Sequence, residues 1–178
     1  MNYLYHRVPD VLKGNILLSQ NMLRKRHPTL YRESMKKYQG RRHILKPKVR
    51  FLNCSWSDVI YLSPVHPRKV ANALRVAGDK SKQKIKFYKI NPKKLNPEKT
   101  IVYLYKYDTM AQEGNLDNFT HFSIKNLSKY NKIPNKTLKY YKDEIKAGRK
   151  PLLYHFIPHI VYNGNLSVKD AEIIEVVF

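Results

Sequence analysis

The chain reads as an α+β protein with a mostly antiparallel sheet. Three observations predict this. Short runs of β-branched and aromatic residues recur along the whole sequence, segments between them carry helical periodicity framed by Pro or Asn at the start and Gly at the end, and the two kinds interleave without a regular βαβ alternation. At 178 residues with 42% hydrophobic content, the chain is long enough for one core and short for two, so residues 1–178 are expected to form one domain. Gly (6) and Pro (10) are few, and neither an internal repeat nor a low-complexity tract interrupts this globular composition.

Residues 3–5 predict a short strand, Val8-Pro9-Asp10 a turn, and residues 14–18 an apolar segment. Pro28 suits a first helical position, and Tyr31, Met35 and Tyr38 follow at i, i+4 and i+7. An amphipathic helix is therefore expected near 28–39, ending at Gly40, with Arg32, Lys36 and Lys37 on its other face. Residues 41–50 are basic, contain Pro47 and read as a loop, and residues 59–62 read as a strand. A second helix starts at Pro67, turns Val70, Leu74 and Ala77 to one face and closes at Gly78. After a hydrophilic turn at 80–84, strands are expected over 85–90 and 100–106, joined through Asn91-Pro92 and Asn96-Pro97. Residues 108–118 are polar and locally acidic, a surface excursion. A third helix is expected near 135–147, capped by Asn135, with Leu138, Tyr141 and Ile145 inward and Gly148 at its end. Strands near 160–162 and 173–178, separated by the Asn163-Gly164-Asn165 turn, complete the pattern.

Charge is the strongest functional signal. Thirty-five Lys and Arg oppose 13 Asp and Glu, a formal +22, and residues 11–57 hold twelve of the cations against one acid, Glu33. Self-repulsion of that size is offset by a polyanion, so nucleic acid is the expected partner, bound through phosphates with a strong salt dependence. A merely solvated basic surface is the alternative. The single Cys54 makes no intrachain disulfide and reads as a core thiol in a reducing compartment. Residues 1–20 carry Arg7, Asp10 and Lys13 and lack a signal-type apolar run, and no stretch has bilayer-spanning length. A cytoplasmic protein is expected, or one delivered into a target cell's cytoplasm, without a membrane partner.

The scattered glycines form no phosphate-binding loop, and no carboxylate cluster suggests a two-metal nuclease. Asp143-Glu144, beside Lys142 and Lys146, is explained by pairing along a helix. His155 and His159 flank Ile157 ahead of a β-branched run, and Pro158 forbids a helix there. In extended geometry all three project to one face, where two imidazoles can titrate, hydrogen-bond a ligand or flank a core strand. A zinc site needs further ligands that no spacing supplies, so no metal is expected.

The segments LYHRV (4–8), GNILLSQNML (14–23), VIYLS (59–63) leading into a helix, and PHIVYNGNLS (158–167) together resemble the ADP-ribosyltransferase fold. The resemblance implies a split antiparallel sheet with peripheral helices, here with a basic helical insertion near 20–50, and NAD as the substrate. It implies that His6 contacts the adenosine ribose, with Arg7 beside it, and that Tyr61 stacks on nicotinamide with Ser63 on the same side. His159 stands where the family has a catalytic Glu. That departure puts ordinary protein modification in doubt and narrows the resemblance toward members acting on nucleic acid, such as RNA 2′-phosphotransferases, which use Arg and His beside a phosphate. His6, Arg7, His155 and His159 are the candidates for that substitution.

Two physical expectations agree. Pro67 places a helix N-terminus just after Ser63 and His66, where backbone N–H groups favour a phosphate, and Tyr61 offers a stacking face. The basic residues Arg24, Lys25, Arg26, Arg32, Lys36, Lys37, Arg41 and Arg42 are expected to hold the nucleic acid, with Tyr31 and Tyr38 assigned to packing. The expected function is NAD-dependent transfer of ADP-ribose to RNA or DNA, a chemistry suited to a toxin, defence factor or effector with an acidic inhibitor or antitoxin as a further partner. The alternatives are a non-enzymatic nucleic-acid-binding module, or a metal-independent ribonuclease using His6 with His155 or His159.

Overall fold

A computed structural model describes residues 2–40, 42–107 and 116–178. Arg41, and residues 108–115 of the expected surface excursion, lie outside the described residues. In chain order the elements are β1 (Leu4–Arg7), β2 (Ile16–Leu17), α1 (Gln20–Arg26), α2 (Pro28–Met35), β3 (Lys48–Val49), β4 (Cys54–Ser55), β5 (Ile60–Leu62) and α3 (Pro67–Val76). They continue with β6 (Lys84–Ile90), β7 (Thr100–Tyr103), β8 (Phe119–His121), α4 (Asn135–Lys146), β9 (His159–Tyr162), β10 (Leu166–Ser167) and β11 (Glu172–Val177). Among the described residues every strand pairing is antiparallel, and the class is α+β.

Two sheets carry the fold: a three-stranded sheet in the order β1-β6-β11 and a four-stranded sheet in the order β5-β9-β7-β8. They touch at one β-bridge, Tyr5 opposite Ser63, where each backbone N–H donates to the other residue's carbonyl at 2.8 Å. Three apolar clusters fill the interior. Leu4, Ile60, Leu62, Ile90 and Ile160 pack where the two sheets meet, while Val70, Leu74, Phe87, Tyr141 and Ile157 pack beneath α3 and α4. Trp56, Val59, Tyr103, Tyr105 and Val161 pack on the other side of the four-stranded sheet.

Helix α3 matches its pattern: Val70 and Leu74 are buried, and the chain leaves through Gly78 at φ 105°, a conformation glycine adopts without strain. Elsewhere the expected elements shift for identifiable reasons. Helix α1 has no buried residue and only Met22 and Leu23 as apolar content, so periodicity misses it; the Ser19 hydroxyl caps it, accepting from the Met22 N–H at 3.4 Å. Helix α2 ends at Met35 and tightens into a 3₁₀ turn over Lys36–Tyr38. That change of pitch leaves Met35 buried and Tyr31 and Tyr38 half-buried, so the two tyrosines are not core residues.

Pro134, not Asn135, occupies the cap of α4, and no side chain caps it. The strand expected over 100–106 stops at Tyr103, because Tyr105 adopts φ 51°. Residues 155–158 do not form a strand either. The His155 and Ile157 N–H groups donate to the Leu152 and Tyr154 carbonyls, and Phe156 sits at φ 59°. Ile157 therefore enters the cluster under α3 and α4, while His155 packs against Tyr105 and Tyr140. The Asn163-Gly164-Asn165 turn joins no hairpin, since β9 and β11 belong to different sheets.

Candidate functional site

His6 follows the bridge residue Tyr5 on β1 and faces β5. Its Nδ1 lies 2.8 Å from the carbonyl oxygen of Tyr61. A carbonyl only accepts, so Nδ1 carries the proton and Nε2 is left as an acceptor. Burial lowers the His6 pKa to about 4, with the Tyr61 carbonyl opposing and Lys37 adding to the shift. The imidazole is therefore neutral at neutral pH.

Tyr61 is stacked on Trp56, with ring centroids 5.7 Å apart and planes 7° from parallel, and its hydroxyl donates to the Trp56 carbonyl at 3.2 Å. Burial, followed by neighbouring Tyr38, raises its pKa well above the ordinary phenol value. His159 opens β9, the strand paired with β5, and meets the Tyr61 ring edge-on at 6.0 Å and 87°. Burial lowers its pKa to about 4, the Ile157 carbonyl opposing, and its Nδ1 is buried with no hydrogen-bond partner among the described residues. Tyr61 thus meets His6 through its backbone carbonyl and His159 through its ring, the three residues lying on β1, β5 and β9.

His6 and Tyr61 line a cavity of about 130 Å³ whose other wall is the α1–α2 pair, including Leu23, Leu30, Lys37 and Tyr38. Lys37 was expected on the outer basic face. It exposes much of its stem to solvent, yet burial of its ammonium, with Arg7 second, lowers its pKa. The 3₁₀ turn that succeeds α2 brings Lys37 and Tyr38 to this wall, a placement helical periodicity does not foresee. In α1 and α2, Gln20 accepts a hydrogen bond from the Ser34 hydroxyl at 2.6 Å, which ties the wall together.

Other candidates go elsewhere. The Ser63 hydroxyl is buried and committed locally, donating to the Val65 carbonyl at 3.2 Å and accepting from the Val65 N–H at 3.1 Å. His66 is the N-cap of α3: its Nδ1 accepts from the Arg68 N–H at 3.1 Å, so an imidazole already occupies the helix start proposed for a phosphate. Arg7 lines a separate groove with Gln83, Lys150 and Leu153. His155 is buried, its Nδ1 2.9 Å from the Tyr105 hydroxyl and its ring 4.1 Å from that of Tyr140; Tyr105, whose ring is 6.1 Å from His159, stands between the two histidines.

Of the basic residues, Arg24 and Arg42 line an open groove of about 390 Å³ with Tyr31, Lys46, Ser55 and Ser57, which shares Gln20 with the His6 cavity. Lys25, Arg26 and Arg32 are exposed on the helices, and Lys36 pairs with Glu33 at 2.6 Å. Sequence reasoning missed Trp56, Lys46, Ser55 and Ser57. The signal was present as Ser55-x-x-Asp58, a capping box: Asp58 accepts from the Ser55 N–H at 2.9 Å and its hydroxyl at 2.6 Å, and from the Asn21 amide of α1 at 2.6 Å.

Among the described residues no group of three or more His, Cys, Asp or Glu is placed to hold a metal ion, and no helix is long and apolar enough to cross a membrane. Neither a family model, nor a curated protein, nor a solved structure matches the chain.

Proposed function

We propose that this protein cleaves NAD and transfers the ADP-ribose to a nucleic acid held on its basic face. The observation that carries the reading is the meeting of His6 and Tyr61 at one cavity, with His159 edge-on to Tyr61 and a cation, Lys37, in the facing wall. In the reaction the bond between ribose C1′ and the nicotinamide nitrogen breaks, and nicotinamide leaves neutral with the bonding pair. An acceptor oxygen or nitrogen forms the new bond to C1′, and any proton it carried passes to solvent.

A neutral His6 with Nε2 as acceptor suits a ribose hydroxyl, and Lys37 suits a phosphate oxygen. At about 130 Å³ the cavity is below the roughly 300–1,000 Å³ of a site that encloses a whole drug-sized ligand, so it takes one ring-sized end of the dinucleotide and the rest lies over its mouth. Neutral His159 offers no negative charge to the positive charge developing on the ribose. A phosphate at a nucleic-acid terminus brings that charge itself and is the acceptor that best suits the site.

The same pKa values weigh against the ribonuclease alternative. An imidazole held at about 4 is almost entirely neutral at neutral pH and supplies little of the imidazolium that a general acid needs. The binding-module reading is favoured by one observation: the Tyr61 ring and hydroxyl are both engaged by Trp56. Transfer of label from adenylate-labelled NAD to RNA, single-stranded DNA, duplex DNA and protein separates the two. Transfer to one polymer, lost in His6→Ala and Tyr61→Ala variants that still fold, is the expected result. NAD neither bound nor consumed with any nucleic acid present overturns the enzyme reading and leaves the module.

A further inference from the structure

The β3–β4 hairpin turns through Arg50, Phe51 and Asn53, and two of these sit in the left-handed region, Phe51 at φ 71° and Asn53 at φ 47°. Asn tolerates that conformation; for a bulky residue such as Phe it is uncommon and strained, and strain of this kind concentrates at functional positions. The strain does not serve burial, because Phe51 is 58% exposed. The rings of Phe119 and His121, at 6.4 Å and 6.0 Å, brace it from the β8 side. Lys48 and Arg50 flank it in an open groove of about 430 Å³.

That groove lies beside the one lined by Arg24, Arg42, Lys46 and Tyr31. Ser55 of the second groove is the strand partner of Lys48 in the first, and two residues of chain put the Lys46 and Lys48 Cα atoms no more than about 7.6 Å apart. Together the two grooves form a basic strip, with the Tyr31 ring in one groove and the Phe51 ring in the other. Asp58 lies near Arg24, and its carboxylate is engaged by Ser55 and Asn21.

A duplex shows such a strip its phosphates but keeps its base faces stacked inside, whereas a single strand offers both. We propose that this strip binds a single-stranded nucleic acid, with Phe51 and Tyr31 stacking on bases and Arg24, Arg42, Lys46 and Lys48 on phosphates. The inference rests on the reading above only in naming the polymer held on the basic face, and its test needs no NAD.

The test is fluorescence anisotropy of the full-length protein with short labelled single-stranded RNA, single-stranded DNA and a blunt duplex, at low and moderate salt. Phe51→Asn relieves the backbone while removing the ring, so it should melt at or above the parent temperature. It should bind the preferred single strand about 5- to 150-fold more weakly, the loss of one stacked base, with duplex binding unchanged. Tyr31→Ala should weaken the same ligand within the same range. The RNA and DNA arms tell which sugar is preferred. Equal affinity for duplex and single strand, or unchanged affinity in Phe51→Asn, overturns the proposal. Single-strand binding without NAD consumption sustains it while the transferase reading fails.

Discussion

Acid is expected to unfold this protein through His6 and His159. Both imidazoles have an ordinary pKa of 6.5 and are held at about 4, chiefly by burial. Between those values the unfolded chain binds protons that the folded chain excludes, so stability is complete above 6.5 and is lost as pH falls toward about 4. Integrated from about pH 7 to about pH 5, the loss is about 1.8 kcal/mol per histidine and about 3.6 kcal/mol for the pair. For a domain of this size that is a fall in Tm of roughly 7–14 °C. His66, also lowered by burial, adds in the same direction. Asp58, Asp117 and Glu144 are held below the ordinary carboxylate range by hydrogen bonds and cations, so their contribution is lost at lower pH than this window. Denaturant unfolding followed by circular dichroism across the window gives the slope of stability against pH, about 2 kcal/mol per pH unit near pH 5.5. His6→Gln or His159→Gln should each lower that slope by about 1 kcal/mol per pH unit, and the double variant should retain only the smaller remainder to which His66 contributes, whatever constant offset the substitutions add. Equal slopes in the parent and the double variant would refute the claim that these two rings are excluded from protonation by the fold.

Lys37→Met should weaken NAD binding about 10- to 150-fold by calorimetry, the loss of one charged hydrogen bond, while single-strand affinity changes little. Gly164→Ala should lower stability by about 1–3 kcal/mol in thermal melts, because a Cβ there lies 2.5 Å from the ring of buried Tyr162. Asp58→Ala removes the acceptor that serves the Ser55 backbone and hydroxyl and the Asn21 amide. It should cost about 1–2 kcal/mol and speed hydrogen exchange in α1 more than in α3.

The α+β class was legible because it depends on strand-length apolar runs, and the same runs put His6, Tyr61 and His159 on β1, β5 and β9. Helix α3 was legible for the same reason: Pro67, Val70, Leu74 and Gly78 all act locally. What escaped was set by single backbone angles. Positive φ at Tyr105 ended the strand expected over 100–106, positive φ at Phe156 broke the extended pattern on which His155 was aligned with His159, and a 3₁₀ turn carried Lys37 from the outer face to the cavity wall. Side-chain commitments were equally hidden. His66 was read as lying beside an open helix start and is instead the group that closes it, and Ser63 bonds its own neighbour. Helix α1 has too few apolar residues to produce a period, and only its Ser19 cap announces it.

The single bridge between the sheets fixes when the cavity can exist during synthesis. His6 lies on the first strand made, but β1 has no strand partner until β6 is made and pairs Leu4 with Ile90, and β5 waits for β9 to pair Tyr61 with Val161. At about 5–20 residues per second, roughly 8–30 s separate translation of His6 from that of β9. Pairings so distant along the chain also form slowly once they are available. The histidines and tyrosine therefore remain apart while the nascent chain sits beside ribosomal RNA, and they meet only when β9 has left the exit tunnel.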